Sequence, residues 1–176
     1  INFDGSIAAG LRNSNVVTDE ILIWLGSEGR TIERSIAGYP RAISDDGNLI
    51  AIQGQGLYDR ERSRTEVIPN SSIPFDISGN GEWVVGRSIS SFPFRWRRGA
   101  SEIEFLASSD GDARGVNEDG SVVVGSIEVR NEGDGFLYPN AFVWSVQTGL
   151  QVIHDKLGSD VIGSEALAVS ATGDVV

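Results

Sequence analysis

Few residues in this 176-residue chain are of the types that do chemistry. Arg95, Arg97 and Arg98 fall within four positions, and Tyr39, Tyr58 and Tyr138 are the only tyrosines. Arginines gripping a carboxylate beside a tyrosine nucleophile would suit cleavage of an acidic sugar. On a strand, however, Arg95 and Arg97 share one face, and the simplest reading puts them on the solvent side opposite Phe94 and Trp96. His154 is the only histidine, with Asp155 beside it, so neither a multi-histidine metal site nor a pair of acid–base histidines can form. There is no Gly-x-Ser-x-Gly elbow, which leaves the histidine without the partners a hydrolytic triad needs. An ordinary surface role is favoured for it.

Oxygen ligands are the second possibility. Asp76-Ile77-Ser78-Gly79-Asn80-Gly81 carries donors at positions one, three and five and glycine at six, as the start of a calcium loop does. The twelfth position is Arg87 rather than the bidentate glutamate of such a loop. Matching stretches elsewhere keep the turn and lose the ligand spacing, so a structural hairpin outranks weak calcium binding. A glycosidase would need two carboxyl groups about 5–10 Å apart, and 25 acids single out no pair. The stretch Asp59–Glu66 alternates in sign and reads as an exposed ribbon or loop. No catalytic, cofactor-binding or metal-ligating residue is assigned from the sequence, and the expected class is not an enzyme.

What must position these residues is a repeat. Asn2-Phe3-Asp4-Gly5-Ser6-Ile7 returns as Ser44-Asp45-Asp46-Gly47-Asn48-Leu49, as Ser78-Gly79-Asn80-Gly81-Glu82-Trp83, and as Asn117-Glu118-Asp119-Gly120-Ser121-Val122. A last copy is Ser170-Ala171-Thr172-Gly173. The glycines Gly5, Gly47, Gly81, Gly120 and Gly173 stand 34 to 53 residues apart, around the period of four-stranded propeller blades. A second phrase trails the first: Leu22-Ile23-Trp24, Phe94-Arg95-Trp96 and Phe142-Val143-Trp144 each put two large apolar side chains on one face of a strand. The identical place of these pairs in each copy favours blade core over sugar-stacking platforms. The second copy lacks this Trp strand, with Thr65-Glu66-Val67-Ile68 as its degenerate remnant.

Each copy therefore reads as strand, Asp-Gly or Asn-Gly turn, strand, loop, Trp strand, glycine turn, strand. The fold class is all-β: a β-propeller or propeller-like array of about four blades, each a four-stranded antiparallel meander. The whole chain, 1–176, is one repeat domain, with approximate repeats 1–34, 35–70, 71–110 and 111–162 and a partial copy 163–176. Two arrangements stand open: a fragment of a larger propeller, which is favoured, or closure in place, with the strand around Ala166–Ser170 beside the sheet that begins near Ile7.

Composition narrows the partners. A net charge of −11, with Lys156 as the only lysine, repels phosphate backbones and argues against nucleic acid. There is no cysteine, hence no disulfide framework and no thiolate chemistry. No apolar run approaches a transmembrane length, and no signal peptide is read at the start. A chain that begins at Ile1 and lacks Met is read as a processed protein or an excised piece.

The phrase running from Gly115 through Asn117-Glu118-Asp119-Gly120 to Gly125, followed by Ala141-Phe142-Val143-Trp144 and the Gly149-Leu150 turn, resembles the bacterial HAF-type extracellular repeat. Residues 115–153 carry the best match and 75–106 a good one, while 1–32 and 42–68 match more weakly. The resemblance implies a propeller-like fold, a secreted or cell-surface location and no assigned chemistry. The regular repeat, the absent catalytic motifs and this resemblance together lead to the expectation of a scaffold or binding module for protein or glycan partners, with further blades or other copies of the chain as additional partners. The alternative is a carbohydrate-active enzyme, glycosidase- or sialidase-like, that uses acids on a propeller face.

Overall fold

The computed structural model describes residues 1–12, 20–26, 29–33, 38–158, 160–174 and 176. Its strands run in order as β1 Ile7–Arg12, β2 Glu20–Leu25, β3 Gly29–Glu33, β4 Tyr39–Ile43, β5 Leu49–Gln53, β6 Gly56–Asp59, β7 Arg64–Glu66 and β8 Ser71–Ile77. They continue as β9 Trp83–Ser88, β10 Pro93–Arg97, β11 Glu104–Phe105, β12 Gly111–Val116, β13 Val122–Arg130, β14 Leu137–Ser145 and β15 Gly149–Val152. The only helix among the described residues is a 3-10 turn, His154–Lys156, so none is long enough to cross a membrane.

These strands form four antiparallel meanders: β1–β3, β4–β7, β8–β11 and β12–β15, each paired in sequence order. The all-β, blade-like architecture expected from the repeat is what the chain adopts. The first sheet has three strands among the described residues and the others four.

Apolar alternation decides how the sheets stack. Leu49, Ala51 and Leu57 of the second sheet meet Ile77, Val84, Phe94 and Trp96 of the third. Val85 of the third meets Val123, Phe142 and Trp144 of the fourth, and Ile21 and Ile23 of the first meet Ile50, Ile52 and Tyr58 of the second. One core thus lies between each successive pair of sheets, and no sheet buries its apolar face alone. Each fully buried Phe, Ile or Leu contributes roughly 1.5–3 kcal/mol. The segment 161–174 continues the series, with Ala166 and Val169 packing on Val124 and Ala141 of the fourth sheet.

The Trp strand of the second copy is β6, not the Thr65–Ile68 stretch. Tyr58 stands opposite Ile50, as Trp96 stands opposite Val84 and Trp144 opposite Val123. Thr65 and Glu66 belong to the outer strand β7 instead. Tyrosine fills the tryptophan's place, so the strand carries no Phe-x-Trp signature. The core reading holds for Phe94, Trp96, Phe142 and Trp144, all buried. Trp24 is 42% exposed, because no described sheet covers that face of β2.

Candidate functional site

The repeated phrase builds one turn five times. In every copy the glycine N–H donates to the carbonyl three positions earlier: Gly5 to Asn2, Gly47 to Ser44, Gly81 to Ser78, Gly120 to Asn117 and Gly173 to Ser170. The first side chain of the turn caps the strand that follows. Ile7, Leu49, Trp83 and Val122 donate their N–H groups to Asn2 Oδ1, Ser44 Oγ, Ser78 Oγ and Asn117 Oδ1. The third side chain accepts from the residue after the glycine, as Asp46 does from Asn48 and Asn80 from Glu82. Hydrogen bonds from Ser6 hold the Asp4 carboxyl below the usual range, and those from Ser121 do the same to Asp119.

The turns are also tied to one another. Asn2 Nδ2 donates to the Asp45 carbonyl and Asp45 N–H to the Gly79 carbonyl. Asn80 Nδ2 donates to the Glu118 carbonyl, and Glu118 N–H to the Ala171 carbonyl. The oxygens that suggested a calcium loop at Asp76–Gly81 are engaged in this network: Ser78 Oγ donates to Asn80 Oδ1, and Asp76 accepts the Val116 N–H. Among the described residues no three His, Asp or Glu side chains converge on a common point.

The arginine cluster does not face solvent as a unit. Arg95 is nearly buried, its guanidinium lying 4.9 Å from the Trp83 ring and 4.1 Å from the Trp144 ring. It also donates to the Gly120 carbonyl and to Glu104. The expected solvent position fails because the neighbouring sheet covers that face of β10. Arg98 reaches back to the second sheet, where it meets Asp59 at 2.8 Å and Glu66 at 3.2 Å. Arg97 alone is well exposed. The three arginines therefore diverge and form no carboxylate clamp.

Asp59, expected in an exposed ribbon, is 1% exposed. Burial pushes its carboxyl up, but hydrogen bonds from Arg62 and Arg98 outweigh that and bring it down to about 2. The exposed part of the stretch is residues 61–65, the turn and the start of β7.

Two cavities of about 250 Å³ lie at the inner strands and at the fourth sheet, and a wider one of about 560 Å³ lies at Asn80–Glu82 and Arg97–Ala100. The first lies along the inner strands, lined by Ile1, Ala9, Arg41, Ile43, Phe75 and Asp76. Bulges fall at the same place in three inner strands, so that Arg41, Phe75 and Arg114 are the extra residues of β4, β8 and β12. Bulges re-aim side chains. Here Phe75 carries Arg114 over its ring at 4.3 Å, and Arg87 and Arg114 both pair with the buried Asp112. Asp76 is pushed up to about 6 by burial, against the hydrogen bonds it accepts from Val116 and Ile77 N–H groups.

The second cavity lies at the fourth sheet, where β13 and β14 run nine residues each against four to six in their counterparts. It is lined by Val129, Tyr138, Asn140, His154, Val161 and Ile162, with Arg130 at the end of β13 and the loop residues 131–133 at its rim. Ser164 Oγ accepts the Ala141 N–H at 3.0 Å and lies 2.8 Å from His154 Nδ1. This contact engages Nδ1 and leaves Nε2 as the ring nitrogen open to another partner. Tyr39 and Tyr58 lie far along the chain in the second sheet, and only Tyr138 shares a cavity with His154. Sequence reasoning missed this cavity. The 53 residues between Gly120 and Gly173, the longest such spacing, were the signal that something had been added there.

No known family profile matches the chain, and no curated protein matches it. Among solved structures it resembles TolB from Acinetobacter baumannii, a β-propeller protein, with a TM-score of 0.57 at 15% identity over 86% of this chain. The chain spans 41% of the length of that TolB. At this identity the likeness establishes the propeller-like fold.

Proposed function

We propose that the chain is a non-catalytic binding or scaffold module, built of propeller blades and acting outside the cell or at its surface on protein or glycan partners. The observation that carries this reading is the use made of the repeat's polar residues. Asn2, Ser44, Ser78 and Asn117 cap strands, Asp45, Asn80 and Glu118 link adjacent turns, and Arg95, Arg98 and Asp59 join neighbouring sheets. A frame held this rigidly can vary its loops without disturbing its core. The extracellular placement and the HAF-type assignment rest on the phrase at 115–153. Further blades, or other copies of the chain, remain additional partners under this proposal.

Incubation of the chain with aryl glycosides, sialosides and complex polysaccharides tests the reading. No turnover above a heat-treated control is expected. Turnover abolished by a single Asp→Asn or Glu→Gln change would replace it with a carbohydrate-active enzyme.

A further inference from the structure

The cavity beside β13 and β14 lies against the part of this hairpin that extends past its counterparts in the other sheets. The strands that correspond to β13 and β14 in the other sheets have four to six residues, so the last three residues of β13 and the first three of β14 are not needed for stacking. Val129 stands directly opposite Tyr138, and Asn140 follows two residues later. All three share one face and all three line the cavity. The far wall is His154 with the aliphatic side chains of Val161 and Ile162.

The polar groups divide into those already engaged and those left over. The Tyr138 hydroxyl donates to Asp134, Asn131 Oδ1 accepts from Gly133 and Asp134, and Arg130 donates to the Gly135 carbonyl. The half-buried Asn140 amide has no hydrogen-bond partner among the described residues, and His154 is held through Nδ1 alone. The cavity thus offers a tyrosine ring, an amide that both donates and accepts, the imidazole Nε2, the Glu132 carboxylate at its rim and an aliphatic wall. Vicinal hydroxyls on a ring with apolar C–H faces match this set: each hydroxyl both donates and accepts, and the ring face lies against an aromatic. An anionic ligand would meet Glu132, while Arg130 opposes a cationic one.

We propose that this cavity is a saccharide site that takes one neutral pyranose unit, free or within a longer glycan. The ring stacks on Tyr138, and its hydroxyls bond to Asn140 and His154. About 250 Å³ accommodates a single ring. The proposal rests on the reading of the chain as a binding module and names the ligand class.

The test uses the ¹⁵N-labelled chain titrated with methyl β-glucoside, methyl α-mannoside, methyl β-galactoside, methyl β-xyloside and N-acetylglucosamine. At least one of these is expected to shift the amide signals around Tyr138, Asn140 and His154 in a saturable way. Asn140→Ala and Tyr138→Ala should each weaken that binding by about tenfold or more. Tyr138→Phe should retain it, because the hydroxyl is already engaged with Asp134. His154→Ala and the remote control Arg97→Ala give a second pair, the first weakening binding and the second leaving it unchanged. Circular dichroism checks that each variant is folded. Silence from all five sugars overturns the proposal, as does binding that Asn140→Ala and His154→Ala leave intact. Saccharide binding elsewhere on the chain removes this site while the binding-module reading stands. Hydrolysis of the bound sugar removes that reading as well.

Discussion

The guanidinium of Arg95, on β10, lies 4.1 Å from the centroid of Trp144, on β14 of the following sheet. Trp83 of its own sheet approaches the same cation at 4.9 Å, so one charge is held between two indoles. This residue looked like a solvent-facing member of an arginine cluster. Its position instead makes it the clasp between the third and fourth sheets. A desolvated cation–π contact is worth up to about 2 kcal/mol.

Arg95→Ala is therefore expected to destabilise the chain by about 2–3 kcal/mol, read as a lower urea midpoint with a change in tryptophan emission. Arg95→Lys should recover only part of the loss, because a point charge cannot stack on two rings while donating to the Gly120 carbonyl. Full recovery by lysine would show that charge alone matters there.

Gly120→Ala should be among the most damaging single changes. The residue has φ +71°, and a Cβ built on it runs into the Trp83 indole. Left-handed strain and the clash together suggest a cost of about 2–4 kcal/mol, measurable as a fall in thermal midpoint. Gly99→Ala serves as the comparison, since φ is +80° there but the space around it is open. It should cost only about 1 kcal/mol.

Two carboxyl groups give the stability opposite dependences on pH. Asp76 binds its proton more tightly when folded, with its carboxyl pushed up to about 6. The stability it contributes is complete below about pH 4, the unfolded value, and is lost as pH rises through 6. Asp76→Asn keeps an acceptor for the Val116 N–H and removes the charge. It should match the parent near pH 3.5 and exceed it at pH 7.5 by up to about 3 kcal/mol, at roughly 1.4 kcal/mol per pKa unit. Asp59 runs the other way. Its carboxyl lies at about 2, so its stabilisation is present above about pH 4 and is lost as pH falls through 2. Asp59→Asn should cost about 3 kcal/mol at pH 7.5, leaving Arg98 and Arg62 without their buried partner. Urea titrations at both pH values check the two signs.

Calcium at millimolar concentration should not shift the thermal midpoint, and neither should a chelator. The Ser78 and Asn80 side-chain oxygens already bond to each other and to the Trp83 and Glu82 N–H groups. A chelator-sensitive midpoint would mean that these bonds yield to a metal.

Much of the fold was legible because its determinants are local. The turn needs a glycine at positive φ and a small polar side chain three positions before it, and both are written into five short phrases. Alternation placed Phe94, Trp96, Phe142 and Trp144 in the core for the same reason. What could not be read locally was which face of a strand the next sheet covers. Arg95 lies on the face of β10 opposite Phe94 and Trp96, and Asp59 opens a charge-rich stretch, yet packing against a neighbouring sheet buries both. Tyr58 was hidden by substitution within the repeat. The cavity at Tyr138, Asn140 and His154 joins a strand pair to a segment more than ten residues further on, and only the long final spacing hinted at it.

The bonds from turn to turn carry a consequence for how such a chain could grow. Where Asn80 meets Glu118, or Asp45 meets Gly79, a side chain or N–H of one turn meets a main-chain carbonyl of the next. Main-chain carbonyls are the same whatever the residue, so a duplicated blade inserted between two others would find its contacts ready-made. Gain or loss of a whole repeat should thus disturb this face less than a single substitution inside a turn. Lengthening one hairpin, as in the fourth sheet, then becomes a way to add a new property without renegotiating the old joints.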